Sequence, residues 1–290
     1  MAWYHNLPVD LVLVRHGESE GNIYDKMPDG GARSKLHDRH TSDYRLTDLG
    51  RLQAQRAGMI IREQIGCFDK MYCSEYVRAV ETAGRMNLPE SQFQTSAAIR
   101  EIQAGVERGM EKSSALLQYD ASLKELRGGG WWTPHKGLGG ESYADLTLRL
   151  RSFLSDLQEN AAGLRVVVVC HAHVIKGFRA LLEDTKAPEF ESLLKWKVPN
   201  CHIRWYTRRE SPGTIHIRPH KVIELNMKDP VNFELKDASF DRQEYTICRP
   251  LMTVEQLLQR AEAVPQLLNN SDLSEAVKKE GYTASGNVPQ

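Results

Sequence analysis

The sequence predicts a three-layer α/β protein: a mostly parallel, doubly wound sheet with helices on both faces. Two nearly continuous aliphatic runs, Val9-Asp10-Leu11-Val12-Leu13-Val14 and Arg165-Val166-Val167-Val168-Val169-Cys170, suit strands covered on both sides. Strand-like and helix-like segments alternate between them, as parallel crossover connections require. Two further strands are expected around Phe68 to Cys73 and Phe93 to Ile99. One helix is expected to start at Thr47 as N-cap, with Asp48 in its first turn and Leu49, Leu52, Met59 and Ile60 facing inward. A second follows Ser74, with Val77, Val80 and Ala83 on helical spacing. The third runs from about Glu141 to Glu159 on the stripe Leu146, Leu150, Phe153, Leu154 and Leu157, with Ser142 capping it and Glu141 in its first turn. A fourth extends from about Val174 to Glu183. Cys201 to Thr207 and Thr214 to Arg218 read as a hairpin around Arg209-Glu210-Ser211-Pro212-Gly213. Thr253-Val254-Glu255-Gln256 reads as a capping box opening a helix to about Leu268. Residues 1–250 are therefore assigned to one domain, 251–268 to a C-terminal helix and 269–290 to a polar tail without periodicity. The long irregular stretches Ile23 to Arg45 and Gln103 to Gly140 exceed ordinary connectors and are expected to be functional loops.

Composition narrows the function class. With 290 residues, 38 basic and 38 acidic side chains and a net charge of +0, nothing global attracts the chain to nucleic acid or an anionic membrane. No apolar run approaches the ~20 residues of a membrane span, and the N-terminus lacks a secretory pattern. Five scattered cysteines, Cys67, Cys73, Cys170, Cys201 and Cys248, never spaced as CxxC, suit reduced thiols. A cytoplasmic location is the resulting expectation. Oligomeric state is not legible.

Chemistry concentrates where strands end. In an open α/β sheet ligands bind beyond the carboxyl ends of the strands. Arg15-His16-Gly17 follows the first strand, His171 follows the valine strand, Arg78 lies one helical turn past Ser74, and Arg100-Glu101-Ile102 follows Phe93 to Ile99. Four parallel strands thus each deliver a charged or imidazole group to one edge of the sheet.

These residues resemble the histidine phosphatase superfamily, the phosphoglycerate-mutase-like fold. The matching marks are Arg15-His16-Gly17 with Asn22, Leu46-Thr47 followed by Gly50 and Ala54, Ser74 with Arg78-Ala79 and Thr82-Ala83, Glu101, Gly140-Glu141-Ser142, and His171, in order over residues ~9 to ~185. The resemblance implies a phosphatase acting on a small phosphorylated substrate through a phosphohistidine at His16, with no metal and no cofactor. Arg15, Arg78, His171 and Asn22 would hold the phosphoryl oxygens, and Glu101 would act as general acid and then base. Glu107 and Glu18 are alternatives for the acid, and Asn22 for a residue that only shapes the loop. One departure from the family pattern is Ala172, where glycine is common after the second histidine; His173 beside it either faces the leaving group or packs.

Other readings compete. His37-Asp38-Arg39-His40 and His171-Ala172-His173 have imidazoles at metal-ligand spacing but lack recognisable further ligands. Arg33, Lys35, His37, Arg39 and His40 suit a second anionic group of the substrate, and Trp131-Trp132 an entrance or a packed lid. Glu101 to Val106 resembles fructose-2,6-bisphosphatase relatives. A phosphoglycerate mutase shares the same pocket, but Gly21 stands before Asn22 where mutases carry tryptophan. A silent phosphoester-binding protein on this fold is the third reading; such proteins usually lose a residue of the set, and Arg15, His16, Arg78, Glu101 and His171 are all present.

Overall fold

The computed structural model describes residues 6–24, 26–27, 36, 39–103, 139–183, 192–209, 217–225 and 252–266. In chain order these form β1 (Asp10–Arg15), α1 (Glu20–Tyr24), α2 (Asp48–Gln64), β2 (Lys70–Ser74), α3 (Val77–Arg85), β3 (Gln92–Ser96), α4 (Tyr143–Asn160), β4 (Arg165–Cys170), α5 (Ala172–Leu182), β5 (Ile203–Thr207), β6 (Arg218–Ile223), β7 (Met252–Thr253) and α6 (Val254–Glu262). The sheet runs β6-β5-β1-β4-β2-β3-β7. Its centre, β1-β4-β2-β3, is parallel, while β5, β6 and β7 join antiparallel at the flanks.

Alternation along each central strand divides the core into two layers. Leu11, Leu13, Tyr72, Val166 and Val168 pack with the α4 stripe Leu146, Leu150, Phe153, Leu154 and Leu157 and with Val174, Ile175 and Phe178 of α5. Val12, Val14, Cys73, Phe93, Val167 and Val169 pack on the opposite face with Ala54, Ala57, Ile60 and Ile61 of α2, Ala79, Val80 and Ala83 of α3, and Leu257 of α6. Val166 to Val169 are all fully buried, and each such side chain contributes about 1.5–3 kcal/mol over its exposed state. The predicted fold class is therefore the observed one.

Several elements differ from expectation in instructive ways. On α2 only Ile60 of the four expected inward residues is buried; Leu52 is 41% exposed, and Leu49 and Met59 are half-buried. Its inner face is small instead, because backbones cross there: a Cβ on Gly58 would lie 1.9 Å from the Met86 carbonyl oxygen, and one on Gly50 1.9 Å from that of Glu18. Thr47 does cap α2, accepting from Gly50 N at 3.1 Å. Ser142 caps α4 within a capping box, but Asp145, not Glu141, occupies the first turn. Glu141 instead precedes the cap and pairs with Arg149 at 2.8 Å. β3 ends at Ser96 in a single 3₁₀ turn over Ala97–Ile99. The hairpin partner of β5 is β6, later than Thr214 to Arg218, and Pro219 is tolerated because β6 is an edge strand. α6 ends at Glu262 rather than near Leu268, as Pro265 disfavours helical geometry in the residue before it. The two-residue strand β7, ahead of α6, extends the β3 edge.

Candidate active site

β1 and β4 lie side by side, with Arg15 paired to Cys170. His16 and His171 therefore leave the sheet together, and their rings sit 5.1 Å apart between centroids. His16 is 2% exposed and His171 fully buried. The His16 backbone N–H donates to the Cys170 carbonyl at 3.0 Å. Its ring Nδ1 bonds the carbonyl of Gly17 at 2.7 Å, so Nδ1 carries the hydrogen and Nε2 keeps the lone pair. Gly17 is demanded by close approach: a Cβ would stand 2.4 Å from the Gly50 carbonyl oxygen. Its N–H donates to Thr82 Oγ1 at 3.0 Å, which itself donates to the Arg78 carbonyl at 2.7 Å. The nucleophile loop is thereby bolted to α3.

α3 brings Arg78 into the same space. Its Nε donates to His16 Nε2 at 3.2 Å, and its Nη1 to the Thr41 carbonyl at 2.6 Å. The guanidinium also stacks over Tyr76, 4.9 Å from the ring centre. Arg15 projects from the end of β1, with Nη1 on the Val198 carbonyl; its Nε is buried and has no hydrogen-bond partner among the described residues. His171 Nε2 shares a 2.8 Å hydrogen bond with Ser74 Oγ, while its Nδ1 is likewise buried without one. Unpaired polar atoms buried beside two arginines are a natural seat for anionic oxygens.

Glu101 closes the remaining side. Its Oε1 accepts from its neighbour Ile102 N at 3.0 Å and from His173 N at 3.3 Å. The His173 ring Nδ1 stands 3.3 Å from the same oxygen. Arg149 holds the Glu101 main-chain carbonyl at 3.3 Å and grips both oxygens of Glu141.

The electrostatics follow from burial and crowding of cations. Burial pushes the His16 imidazole well below its usual value, and Arg78, Arg15 and His171 add to the effect. His171 is pushed the same way by burial and then Arg78. Both rings are neutral at physiological pH, and His16 Nε2 is a free base. For Glu101 burial acts upward, but His173, His171 and Arg78 more than offset it and hold the carboxyl well below the carboxylate range. The resting carboxylate is ionised.

His16, Arg15, Arg78, Glu101 and His171 thus lie together at one edge of the sheet. Asn22 stands on the loop after His16, its Oδ1 accepting from Ser19 N at 3.1 Å and from Asn200 Nδ2 at 3.1 Å. Glu18, an alternative acid, accepts from Thr47 Oγ1 at 2.9 Å at the start of α2. Glu107, Trp131-Trp132, Arg33, Lys35, His37 and residues 104–106 lie outside the described residues. Sequence reasoning missed Asn200, whose Nδ2 also donates to the His16 carbonyl at 3.2 Å. Its neighbour Cys201 has φ +51°, a left-handed conformation costly for any residue with a Cβ, and donates its N–H to the same carbonyl at 3.2 Å. Thr41 and Tyr76 were missed too; the Pro199-Asn200 pair just before a strand was the only local hint, and it is a weak one.

Residues 11–218 match the histidine phosphatase superfamily, branch 1. The chain belongs to that superfamily. Over 193 residues it is 31% identical to the 6-phosphofructo-2-kinase/fructose-2,6-bisphosphatase of Gallus gallus, covering 65% of this chain and 36% of that protein. Over 191 residues it is 30% identical to the 2,3-bisphosphoglycerate-dependent phosphoglycerate mutase of Rhizobium etli, covering 62% of this chain and 85% of that one. The chain thus spans only about a third of the first relative's length and most of the second's. Phosphoserine phosphatase of Entamoeba histolytica, solved with 3-phosphoglyceric acid, shares the fold with a TM-score of 0.53 at 24% identity, covering 73% of this chain and 95% of that one. Relatives of this histidine phosphatase chain thus carry both phosphatase and mutase names. No helix among the described residues is long and apolar enough to cross a membrane, and the described cysteines, Cys67, Cys73, Cys170 and Cys201, are free.

Proposed function

We propose that the chain hydrolyses the phosphate monoester of a small metabolite through a phosphohistidine on His16, without a metal. The observation that carries this reading is the His16 ring itself: neutral, oriented through Nδ1, with Nε2 aimed at the Arg78 guanidinium. Arg78 would release Nε2 as phosphate enters and turn its planar donors to the phosphoryl oxygens. Arg15 Nε and His171 Nδ1 are the buried donors left for the same oxygens, and Asn22 supports them through the loop. His16 Nε2 attacks phosphorus as the bond to the leaving oxygen breaks, and that oxygen takes a proton from Glu101. Water then attacks phosphorus, passing a proton to Glu101; the nitrogen–phosphorus bond breaks, inorganic phosphate leaves and the lone pair returns to Nε2. Hydrolysis is favoured over mutase transfer because Gly21, not tryptophan, precedes Asn22.

Nitrophenol release from p-nitrophenyl phosphate in excess chelator, compared with His16→Ala, tests it. The expected result is turnover by the wild-type chain, none by the variant, and an acid-labile, base-stable phosphoryl group trapped on the former. Primer-dependent isomerisation of phosphoglycerate without net phosphate release would move the assignment to a mutase. Tight phosphate-ester binding with no turnover of either kind would move it to a silent binder.

A further inference from the structure

We infer that His173 is a positioning residue for Glu101, the two forming one proton-carrying pair that supplies the leaving oxygen. The inference rests on the proposed hydrolysis and deepens it. His173 sits in the first turn of α5, which starts directly after His171. One residue thereby addresses one carboxylate oxygen twice: its backbone N–H donates at 3.3 Å, and its ring Nδ1 stands 3.3 Å away as an ion-pair partner outside hydrogen-bond geometry. The backbone donor is among those a helix start leaves without an intrahelical partner. The ring is the ionisable group of the two, and it sets an imidazole against a carboxylate. The ring of Tyr143, 5.8 Å from that of His173, flanks the pair from the start of α4.

The chemistry needs such a partner. In the resting site Glu101 is ionised, so it holds no proton of its own to give. The charged and titratable groups around it come from every packed element: Arg15 from β1, Arg78 and Tyr76 from the β2–α3 turn and α3, Cys170 and His171 from the end of β4, Tyr143 and Arg149 from α4, and His173 and Lys176 from α5. Of these, His173 is the titratable side chain placed against the carboxylate oxygen itself. Lys176 is turned away, its ammonium donating to the Leu194 carbonyl at 2.6 Å. A bound phosphate dianion adds negative charge and favours the protonated form of the pair. The balance is then simple. As the phosphorus–oxygen bond breaks, the proton on His173 Nδ1 passes by way of the Glu101 carboxylate to the leaving oxygen, so that Glu101 ends ionised and His173 neutral. In the second step the attacking water returns a proton by the same route, so the pair ends as it began.

Leaving-group dependence separates this role from packing, because nitrophenolate departs without protonation and an alkoxide does not. Wild type, His173→Asn and His173→Ala are assayed on p-nitrophenyl phosphate and on glycerol 2-phosphate. Asparagine keeps an N–H donor for Glu101 but does not titrate. Both variants should lose about tenfold more kcat on glycerol 2-phosphate than on p-nitrophenyl phosphate, less than the 10²–10⁴ of a whole general acid because Glu101 itself remains. Equal losses on both substrates, or none on either, would overturn the pair. Carbon-13 NMR of the Glu101 carboxyl gives a reading that needs no turnover. Its titration should move up toward the ordinary carboxylate range in His173→Asn, and an unmoved titration also defeats the inference. A wild-type chain that turns over neither substrate defeats the hydrolase reading alone, and the NMR result then still decides whether the pair exists.

Discussion

Glu81 and Glu101 both sit among cations, and they are built to opposite ends. Glu81 is fully buried and saturated by guanidinium groups: Arg45 Nη2 at 3.1 Å and Arg51 Nε at 2.9 Å on one oxygen, Arg45 Nε at 3.3 Å and the Leu46 N–H at 3.0 Å on the other. Glu101 is half-buried and faces an imidazole and two backbone donors. Both are held below the usual carboxylate value against burial, Glu81 by the Arg45 hydrogen bonds and charge with Leu46 N and Arg51 behind them, Glu101 by His173 first. Arginine does not give up its proton, so the first arrangement stores structure; imidazole does, so the second can move charge. The two are connected. Glu81 lies on α3 one turn after Arg78, and it fixes the Arg45-Leu46 backbone a few residues past Thr41, whose carbonyl accepts from Arg78. Arg45 and Arg39 also donate to the carbonyls of Val264 at 3.3 Å and Pro265 at 2.7 Å, and Arg51 to Gln266. The segment after α6 is thus tied to the same brace.

If that contrast is right, neutralising each carboxylate should break a different property. Glu81→Gln leaves Arg45, 8% exposed at its side chain, without a counter-charge; losing one partner of a buried pair costs about 3–5 kcal/mol. Urea unfolding should show the loss as a lower midpoint, with the surviving folded fraction still able to form the His16 phosphoenzyme. Glu101→Gln should leave the midpoint within about 1 kcal/mol, since its partners are partly solvated. Instead kcat on an alkyl phosphate should fall by about 10² or more. A Glu81 variant with full stability and lost chemistry would invert the assignment.

Acid titration of stability sharpens the same contrast. A ring kept neutral in the fold and protonated when unfolded destabilises as pH falls below its unfolded value. His16 and His171, both well below 6.5, and His202, pushed down by burial and then Arg204 to about 3, therefore erode stability from about pH 6.5 downward. A depressed carboxylate contributes above its unfolded value of 4.5 and loses that contribution as pH falls through its folded value, so Glu81 and Glu101 steepen the fall below about 4.5. Glu81→Gln should flatten only the lower limb of a stability-against-pH curve measured by urea unfolding. Flattening that begins near pH 6.5 would mean the brace and the histidine pocket titrate as one unit.

How much of this was legible in the chain depends on whether a feature is local. The two aliphatic runs announced β1 and β4 because strands covered on both faces need no polar alternation. Arg15, His16, Arg78, Glu101 and His171 were legible because each lies at or just beyond the end of a parallel strand. The inner face of α2 was misread because hydrophobicity was used to choose it, whereas the crossing at Gly58 and Met86 selects for smallness. Two-residue β7 leaves no pattern to find. Asn200, Thr41 and the Arg45–Glu81 brace are pairings across 36 to 184 positions of sequence, which neither spacing nor periodicity encodes.

The smallest effect discriminates most finely within the brace. Arg85 reaches Glu81 at 3.9 Å and Glu262 of α6 at 3.7 Å, with 27% of its side chain exposed. It is a third nearby cation, and by count alone it would matter as much as Arg45. Geometry says otherwise: at that length and exposure an ion pair contributes about 0–1 kcal/mol, while Arg45 makes a two-pronged hydrogen bond in a dry site. Arg85→Ala should therefore lower stability by under about 1 kcal/mol in urea unfolding, with the loss shrinking further in high salt because exposed pairs are screened. A loss as large as that of Glu81→Gln would show that the ionised state of Glu81 depends on the total positive charge around it, and that the docking of α6 through Glu262 carries part of it. A small, salt-sensitive loss would place the brace in Arg45, the Leu46 N–H and Arg51, the groups that lie between Thr41 and the first turn of α2.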